Sequence, residues 1–490
     1  MILAKAQDLF TEAVKCLEGV SDGAEVPRDI GKAEEILNML LNHNVGNVAM
    51  LSALGSVHFA RGNHGLAIQL YSTVVAAYPN THAVWNNLGL CWKEVGDLNR
   101  AEHALQKALK LAPPEFLAAS LCNLAAVNLN RGRAAIALEY TKKALAADPS
   151  HAKSHWHYAL ANLELRNWEA AWEGHEARLY GGSCQVQEIE YRNYHGEQQT
   201  PIWEGQEGAT VVVHGEEGVG DEVMFASCIP DLIAKGCNVI IEPHPRLEGL
   251  FRRSFPQAKV YGTHKTQGED WIGELGPPDY KIALGSLPKH FRNSTAAFPG
   301  TPYLIPDRDK ASGYRARLSA LPARPNIGIA WQGGVERTRY AVRSFHPEAF
   351  KPLFDAVDAN WISLQYDQTA EQCVADVKDK LGVTIHHWPE AVGMKADIDE
   401  TAALISSLDL VITVCQTAYH IAGALGVPTL VLTPSEPDWR IGCGEYEDNA
   451  WYRSVRLLRQ APDTYDWAPV IERAAREARQ VFDVLKVAAQ

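Results

Sequence analysis

No run of about 18 apolar residues occurs in this chain of 490, so nothing in it reads as a membrane-spanning helix. No Cys-x-x-Cys pair occurs either. The nine cysteines are scattered from Cys16 to Cys443 without a scaffold spacing, which excludes a disulfide framework and fits a reducing compartment. A cytoplasmic location is therefore expected. Cys91 and Cys122 fall in helical patterns and read as small core residues. Positive charge is in deficit, with 46 Lys and Arg against 59 Asp and Glu and a formal net charge of -13. That balance argues against general nucleic-acid binding. No histidine, cysteine or carboxylate spacing suits a metal; the adjacent His386 and His387 would point in opposite directions in a strand. No serine or cysteine triad is recognisable, and no tightly bound cofactor is expected. The opening residues, Met1 to Ala13, carry Lys5, Asp8 and Glu12 and read as an amphipathic helix, not as a signal peptide.

What the chain does have is internal repetition. Leu54-Gly55 with Gly62, Ala67 and Pro79 aligns with Leu88-Gly89, Gly96, Ala101 and Pro113, 34 residues on. Leu124-Ala125 with Gly132, Ala137 and Pro149 comes after a further 36. Small residues at 55, 89 and 125 let paired helices approach, glycine at 62, 96 and 132 suits the turn, and proline ends the unit. The spacing and anchors resemble tetratricopeptide repeats. A fourth unit, Ala152 to Leu179, carries Trp168, Trp172 and His175 on its second helix and is expected to cap the array against the next domain. A partial unit precedes the first, with a helix at Ala4 to Leu17, an insertion at Glu18 to Arg28, and a second helix around Gly31-Lys32-Ala33-Glu34. Stacked repeats leave a concave face. His58, Asn86, Asn87, Asn123, Asn128 and His157 are its candidate side chains, and asparagine amides can hold an extended peptide. The expected partner is a protein or peptide; the alternatives are a solvated face or a contact between copies of the chain.

After a polar connector, Tyr191 to Gly208, the pattern changes. Short apolar runs at Thr210–Val213, Val239–Glu242, Ala258–Tyr261 and Tyr280–Leu284 alternate with helical stretches such as Glu222 to Lys235. A second cycle has strands at Asn326–Trp331, Trp361–Leu364, Val383–His386, Leu410–Thr413 and Thr429–Leu432, with helices at Pro347–Val357 and Thr401–Ser407. A proline-rich crossing, Pro299 to Pro325, separates the cycles, and a last helix spans Trp467 to Ala488. The alternation predicts two mostly parallel, doubly wound sheets with a cleft between them.

Three loops carry candidate chemistry. His214-Gly215-Glu216-Glu217-Gly218-Val219-Gly220-Asp221 joins a strand to a helix, where backbone N–H groups of Gly218 and Gly220 favour an anion. Asp221 is there either a general base or a helix-start capping residue. Cys415-Gln416-Thr417 leads into a helix rich in small residues, with His420 one turn in. That helix start suits a diphosphate, and the alternative for His420 is a buried structural role. Trp331-Gln332-Gly333-Gly334 is followed by Arg337, Arg339 and Arg343, whose forked guanidinium groups match phosphate oxygens. Gln365-Tyr366 is placed to read a base or ribose. In Asp438-Trp439-Arg440, Trp439 is placed to stack on a ligand and Arg440 to pair with phosphate.

These stretches, with Trp203-Glu204-Gly205, Pro245-Arg246-Leu247, Arg343-Ser344, Ser363-Leu364-Gln365, Thr401-Ala402, Leu408 to Ile412, Ala418 to Gly426 and Trp451-Tyr452, resemble the glycosyltransferase-like region of bacterial tetratricopeptide-repeat proteins. They are similar to lipopolysaccharide heptosyltransferases and more distantly to protein O-GlcNAc transferases. The resemblance implies an all-α repeat solenoid followed by a GT-B fold of two Rossmann-like domains. It implies 1–185 as the repeats, 186–310 as the acceptor-side domain and 311–490 as the domain that holds a nucleotide-sugar. It implies metal-independent, inverting transfer of a sugar to a protein hydroxyl. Asp221 and His420 would be the catalytic pair. Gly218, Gly220, Gln332, Arg343, Gln365, Gln416, Thr417, His420, Asp438 and Arg440 would hold the donor. One departure stands out: Gln416 occupies the place of the family's aspartate, which redirects the donor or removes activity. The competing readings are a non-catalytic scaffold with a degenerate transferase region, and a transferase acting on a cell-surface glycan precursor.

Overall fold

The computed structural model describes residues 2–17, 29–43, 47–179, 199–263, 272–334, 340–393, 396–443, 446–461 and 464–488. The chain forms two compact units, Met1–Ala161 and Asn162–Gln490.

The first unit is built of helices α1 (Ile2–Lys15), α2 (Ile30–His43), α3 (Val48–Ala60), α4 (His64–Ala77), α5 (His82–Glu94), α6 (Leu98–Leu111), α7 (Leu117–Asn130), α8 (Ala134–Ala147) and most of α9 (Ala152–Glu164). The first eight pair as the hairpins α1/α2, α3/α4, α5/α6 and α7/α8, and each of these packs on the next. The small residues act as the repeat pattern predicts. A methyl added at Gly89 would lie 2.6 Å from the Leu105 side chain, and one at Gly55 2.7 Å from Tyr71. Glycines 62, 96 and 132 turn between paired helices with φ of 75°, 81° and 65°. Asn47 and Asp97 cap α3 and α6 by accepting from Met50 N (3.1 Å) and Arg100 N (3.0 Å). The insertion expected at 18–28 lies outside the described residues.

The asparagines bind one another. Asn123 donates to Asn86 (2.8 Å), Asn86 to Asn87 (3.4 Å), and Asn87 to the Tyr71 hydroxyl (3.4 Å). Asn128 corrects its expected surface place: it is fully buried and donates back to Leu124 O at 2.9 Å.

The second unit begins inside the fourth repeat. Its helix α10 (Trp168–His175) is followed by a 3-10 turn at Glu176–Leu179. The compact units thus divide at 161/162, inside the fourth repeat, while the resemblance places the end of the repeats at 185. The reason is aromatic. Trp172 is 1% exposed, donates its indole N–H to Arg292 O at 2.8 Å, and packs on Trp439 and Trp451. At the turn before α10, where the earlier repeats have glycine, Arg166 takes φ of 58°. Its guanidinium lies over the Tyr446 ring and binds the Asp448 carboxylate (2.9 Å) and carbonyl (2.6 Å).

Two parallel sheets complete this unit. The first has the order β3-β2-β1-β4, with β1 (Thr210–His214), β2 (Asn238–Glu242), β3 (Lys259–Val260) and β4 (Tyr280–Ala283). Val212 pairs with Ile240 on one side and Lys281 on the other. The second has the order β10-β9-β8-β5-β6-β7, with β5 (Asn326–Ala330), β6 (Asn360–Ser363), β7 (Ile385–His386), β8 (Leu410–Val414), β9 (Thr429–Thr433) and β10 (Val455–Arg459). Runs such as Val211–Val213 and Leu410–Val414 are continuously buried, as strands covered on both faces require. The C-terminal helix Ala468–Ala488 packs Ile471, Ala474, Ala475 and Ala478 over the second sheet.

Several elements differ from expectation. The helix read over 222–235 is two, Val219–Phe225 and Ile229–Ala234, parted by a 3-10 turn next to Pro230. The 347–357 stretch likewise starts as a 3-10 turn, Pro347–Phe350, before the helix Lys351–Ala356. The strands at 258–261 and 383–386 shorten to β3 and β7. Helix Ala370–Leu381 and β10 are additions to the expected elements, and the proline-rich crossing contains helix Arg308–Ser319. That helix packs on the second sheet's helix Ile398–Ile405, with the Tyr314 hydroxyl 2.9 Å from Glu400. The 310/311 boundary cuts through it.

Candidate functional site

Strand order reverses between β1 and β4 in the first sheet and between β5 and β8 in the second. Loops leaving strands at such points spread apart and leave a crevice at the carboxyl ends. From β1 comes the turn 215–221; from β8 comes Cys415-Gln416-Thr417. The two meet. A methyl added at Gly220 would lie 3.2 Å from His420 Cδ2 and 3.4 Å from Thr417 Oγ1, so the absence of a side chain there eases the close approach of the helix starts Val219 and Thr417. Around them is a cavity of about 400 Å³ lined by Gly218, Gly220, Asp221, Arg343, Tyr366, Gln416, Thr417, Tyr419, His420, Glu436, Asp438 and Arg440, among others. A second cavity of about 260 Å³ shares Val219, Tyr366, Gln416 and Thr417 and adds Arg246, Leu364, Val392, Ile398 and Thr401. Together they fall in the size range of small-molecule sites.

Arg440 is the hub. Its Nε pairs with Asp221, its Nη2 lies 2.7 Å from Glu217, and Nη1 lies 3.9 Å from Asp438. Asp221 also accepts from Gly218 N at 3.2 Å, which ties the turn to the helix it opens. Arg343 lies 3.5 Å from the same Asp438 oxygen. Both lining arginines therefore have carboxylate neighbours.

Glu217 is absent from the expected site residues. It holds a left-handed backbone (φ of 59°), an uncommon state for a residue with a side chain. Burial, then the neighbouring Asp221 charge, push its carboxyl up to about 7 against the pull of Arg440. Its signal in the sequence is a second carboxylate inside the glycine-rich turn.

His420 is 4% exposed, with Nδ1 3.1 Å from the Tyr452 hydroxyl and its ring centroid 3.8 Å from that of Tyr419, the two planes tilted by 33°. Burial, then Arg440, push it down to about 3, so it is a neutral imidazole at physiological pH. Gln416 is the residue before the helix Thr417–Leu425; it is 8% exposed and donates to Thr413 Oγ1 at 3.5 Å. Cys415 beside it is buried, and burial pushes its thiol up to about 12, which suits packing and not reactivity.

Some expected residues do other work. Gln365 is 1% exposed; its carbonyl accepts from Trp331 N and Gln332 N (both 3.1 Å) and its amide donates to Gln332 O (3.2 Å). It staples the ends of β5 and β6 together, and its neighbour Tyr366 lines both cavities. Gln332 accepts from Thr369 Oγ1 at 3.4 Å and turns its backbone to Gln365. Trp439 is 7% exposed and packs on Trp172, His175 and Phe225, so it is unavailable for stacking on a ligand. Trp203 is buried, with its backbone N–H on Lys281 O at 2.9 Å, clamping β4. Arg337 and Arg339 lie outside the described residues. Among the described residues, no cluster of three or more His, Cys, Asp or Glu is arranged to hold a metal ion, and no helix is long and apolar enough to cross a membrane.

Residues 52–116 and 122–182 match the tetratricopeptide repeat family. Over these residues the helical pairs are tetratricopeptide repeats. Such repeats are protein-interaction scaffolds. The chain is 28% identical over 430 residues to Protein FlbA of Caulobacter vibrioides, a match covering 84% of this chain and 70% of that protein. It extends beyond the repeats into the α/β region. BBSome complex member BBS4 of Bos taurus is 27% identical over 153 residues, 31% of this chain and 29% of that one. Among solved structures, MamA is 21% identical with a TM-score of 0.28, covering 30% of this chain and 86% of that chain. PilF of Pseudomonas aeruginosa is 21% identical with a TM-score of 0.32, covering 36% and 78%.

Proposed function

We propose that the α/β region is a GT-B glycosyltransferase that moves a sugar from a nucleotide-sugar to a protein hydroxyl, with inversion and without a metal, while the repeats hold the acceptor. The observation that carries this reading is the convergence of two helix starts, at Val219 and Thr417, on a cavity that also contains Arg343 and Arg440. Backbone N–H groups and guanidinium groups together favour a phosphate there.

The chemistry then turns on Arg440. A donor phosphate competes with Asp221 for its guanidinium. Once freed from Arg440, the Asp221 carboxylate, still held by Gly218 N–H, is placed to take the proton of the acceptor hydroxyl. The oxygen attacks the anomeric carbon, the bond to the leaving phosphate breaks on the opposite face, and Arg343, Arg440 and the Thr417 helix start take up the departing charge. Neutral His420 is placed to hydrogen-bond the donor. Gln416, at the family's aspartate position, offers an amide in place of a charge.

Calorimetric titration with uridine, guanosine, cytidine and adenosine nucleotide-sugars, with assay of transfer or hydrolysis, tests this. Donor binding with turnover supports it; no binding across the panel sinks it. A scaffold without catalysis is the second reading, and one observation favours it: Arg440 is engaged by Glu217 and Asp221.

A further inference from the structure

The cavity's two charged loops rest on one element outside both sheets. That element is the end of the fourth repeat, α10 and the 3-10 turn Glu176–Leu179. Arg178 in the turn is 0% exposed. It forks Glu216 with Nε at 3.0 Å and Nη2 at 2.6 Å, and Nη2 also donates to Ser286 Oγ at 2.8 Å. Glu216 in turn accepts from Gly285 N at 2.6 Å. The carboxylate is thus fixed from the repeat side and from the end of β4. Glu216 is covalently next to Glu217, which holds Arg440. On the other loop, Trp439, next to Arg440, packs 6.4 Å from Trp172 and 5.6 Å from His175, both on α10.

We propose that Arg178 is a positioning residue for the cavity. By holding Glu216 it sets the turn 215–221 at the height where Glu217 and Asp221 meet Arg440. The proposal rests on the reading of this cavity as the donor site. A buried arginine is retained only where its carboxylate partners repay desolvation; here burial opposes the charge and Glu216 and Glu176 outweigh it. Lysine at 178 keeps the charge but loses the fork, and methionine loses both.

The test compares full-length Arg178→Met and Arg178→Lys with Arg292→Met. Arg292 is similarly buried, at 1% exposure, but binds Ser227 O and Asp231, away from the turn. Hydrogen–deuterium exchange without ligand should quicken about tenfold or more over 215–222 in Arg178→Met, less in Arg178→Lys, and not selectively in Arg292→Met. Affinity for uridine, guanosine, cytidine or adenosine diphosphate, whichever the native protein binds, should fall about tenfold in Arg178→Met only. Native-like protection of 215–222 in Arg178→Met, or equal loosening in Arg292→Met, overturns the proposal. If Arg178→Met does not fold, Ser286→Ala, which removes one partner of Arg178, carries the same exchange comparison. If the native protein binds no nucleotide, the donor-site reading fails while the exchange result still decides what Arg178 does.

Discussion

Arg440 and Glu217 are 223 positions apart in the chain and stand 2.7 Å apart in the fold. Glu217 belongs to the loop after the first sheet's central strand, Arg440 to the loop after β9 of the second. Arg440 lines the cavity, and the pair ties the two loops together beside it.

This pair gives a pH dependence with a definite sign. The Glu217 carboxyl is raised from an ordinary 4.5 to about 7, so the folded state holds its proton more tightly than the unfolded chain. The stabilisation is complete below about pH 4.5 and is lost as pH rises through 7. Glu217→Gln should therefore be more stable than the native protein at pH 8, by roughly 1–3 kcal/mol, with the gap closing toward pH 5. Denaturant unfolding at both pH values measures it; a gap that widens toward pH 5 contradicts the assignment.

Asp221→Asn should slow transfer more than it weakens donor binding. A general base contributes on the order of 10²–10⁴-fold, and the substitution also relaxes the hold on Arg440. Turnover at saturating donor, set beside calorimetric affinity, separates the two effects. Equal rates would remove Asp221 as the base.

His420→Ala should impair donor use. The imidazole lies at the contact between the two helix starts and is fixed by Tyr452. Because burial holds it neutral, its ring proton resonances should not titrate between pH 5 and 8. Unchanged donor affinity and turnover in the variant would show that its role is packing.

Gly220→Val should push the two helix starts apart, since its first side-chain carbon would meet His420 and Thr417. Donor binding should fall and the unfolding midpoint should drop with it. Gly89→Ala should destabilise the repeats by about 1–3 kcal/mol through the clash with Leu105 while leaving donor affinity intact.

The repeats are readable from sequence because their signals are local. Gly89 against Leu105 and Gly96 at a turn each come from a residue type and a spacing. The parallel sheets are readable because buried strands are unbroken apolar runs such as Val211–Val213. Short elements are not: β7 has two residues, and Ala370–Leu381 lies in a polar stretch. At the site, the convergence of 220 with 417 depends on tertiary placement that no spacing encodes. Gln365 and Trp439 sit in the motif yet serve the scaffold, since sequence places a residue on a loop without saying which way it faces. Glu217 shows in the sequence only as a second carboxylate in the glycine-rich turn, and Arg178 is silent because its buried pairing with Glu216 is invisible until both partners are in place.

The last tetratricopeptide helix has a consequence for how this architecture can be taken apart. A cut at 185/186 would strip Trp168, Trp172 and Arg178 from their neighbours and leave two tacky, ill-formed halves. A splice that exchanges the repeats for another array must leave α10 with the sheets. The natural seam therefore runs through a repeat, and a swapped array inherits its final helix from the host.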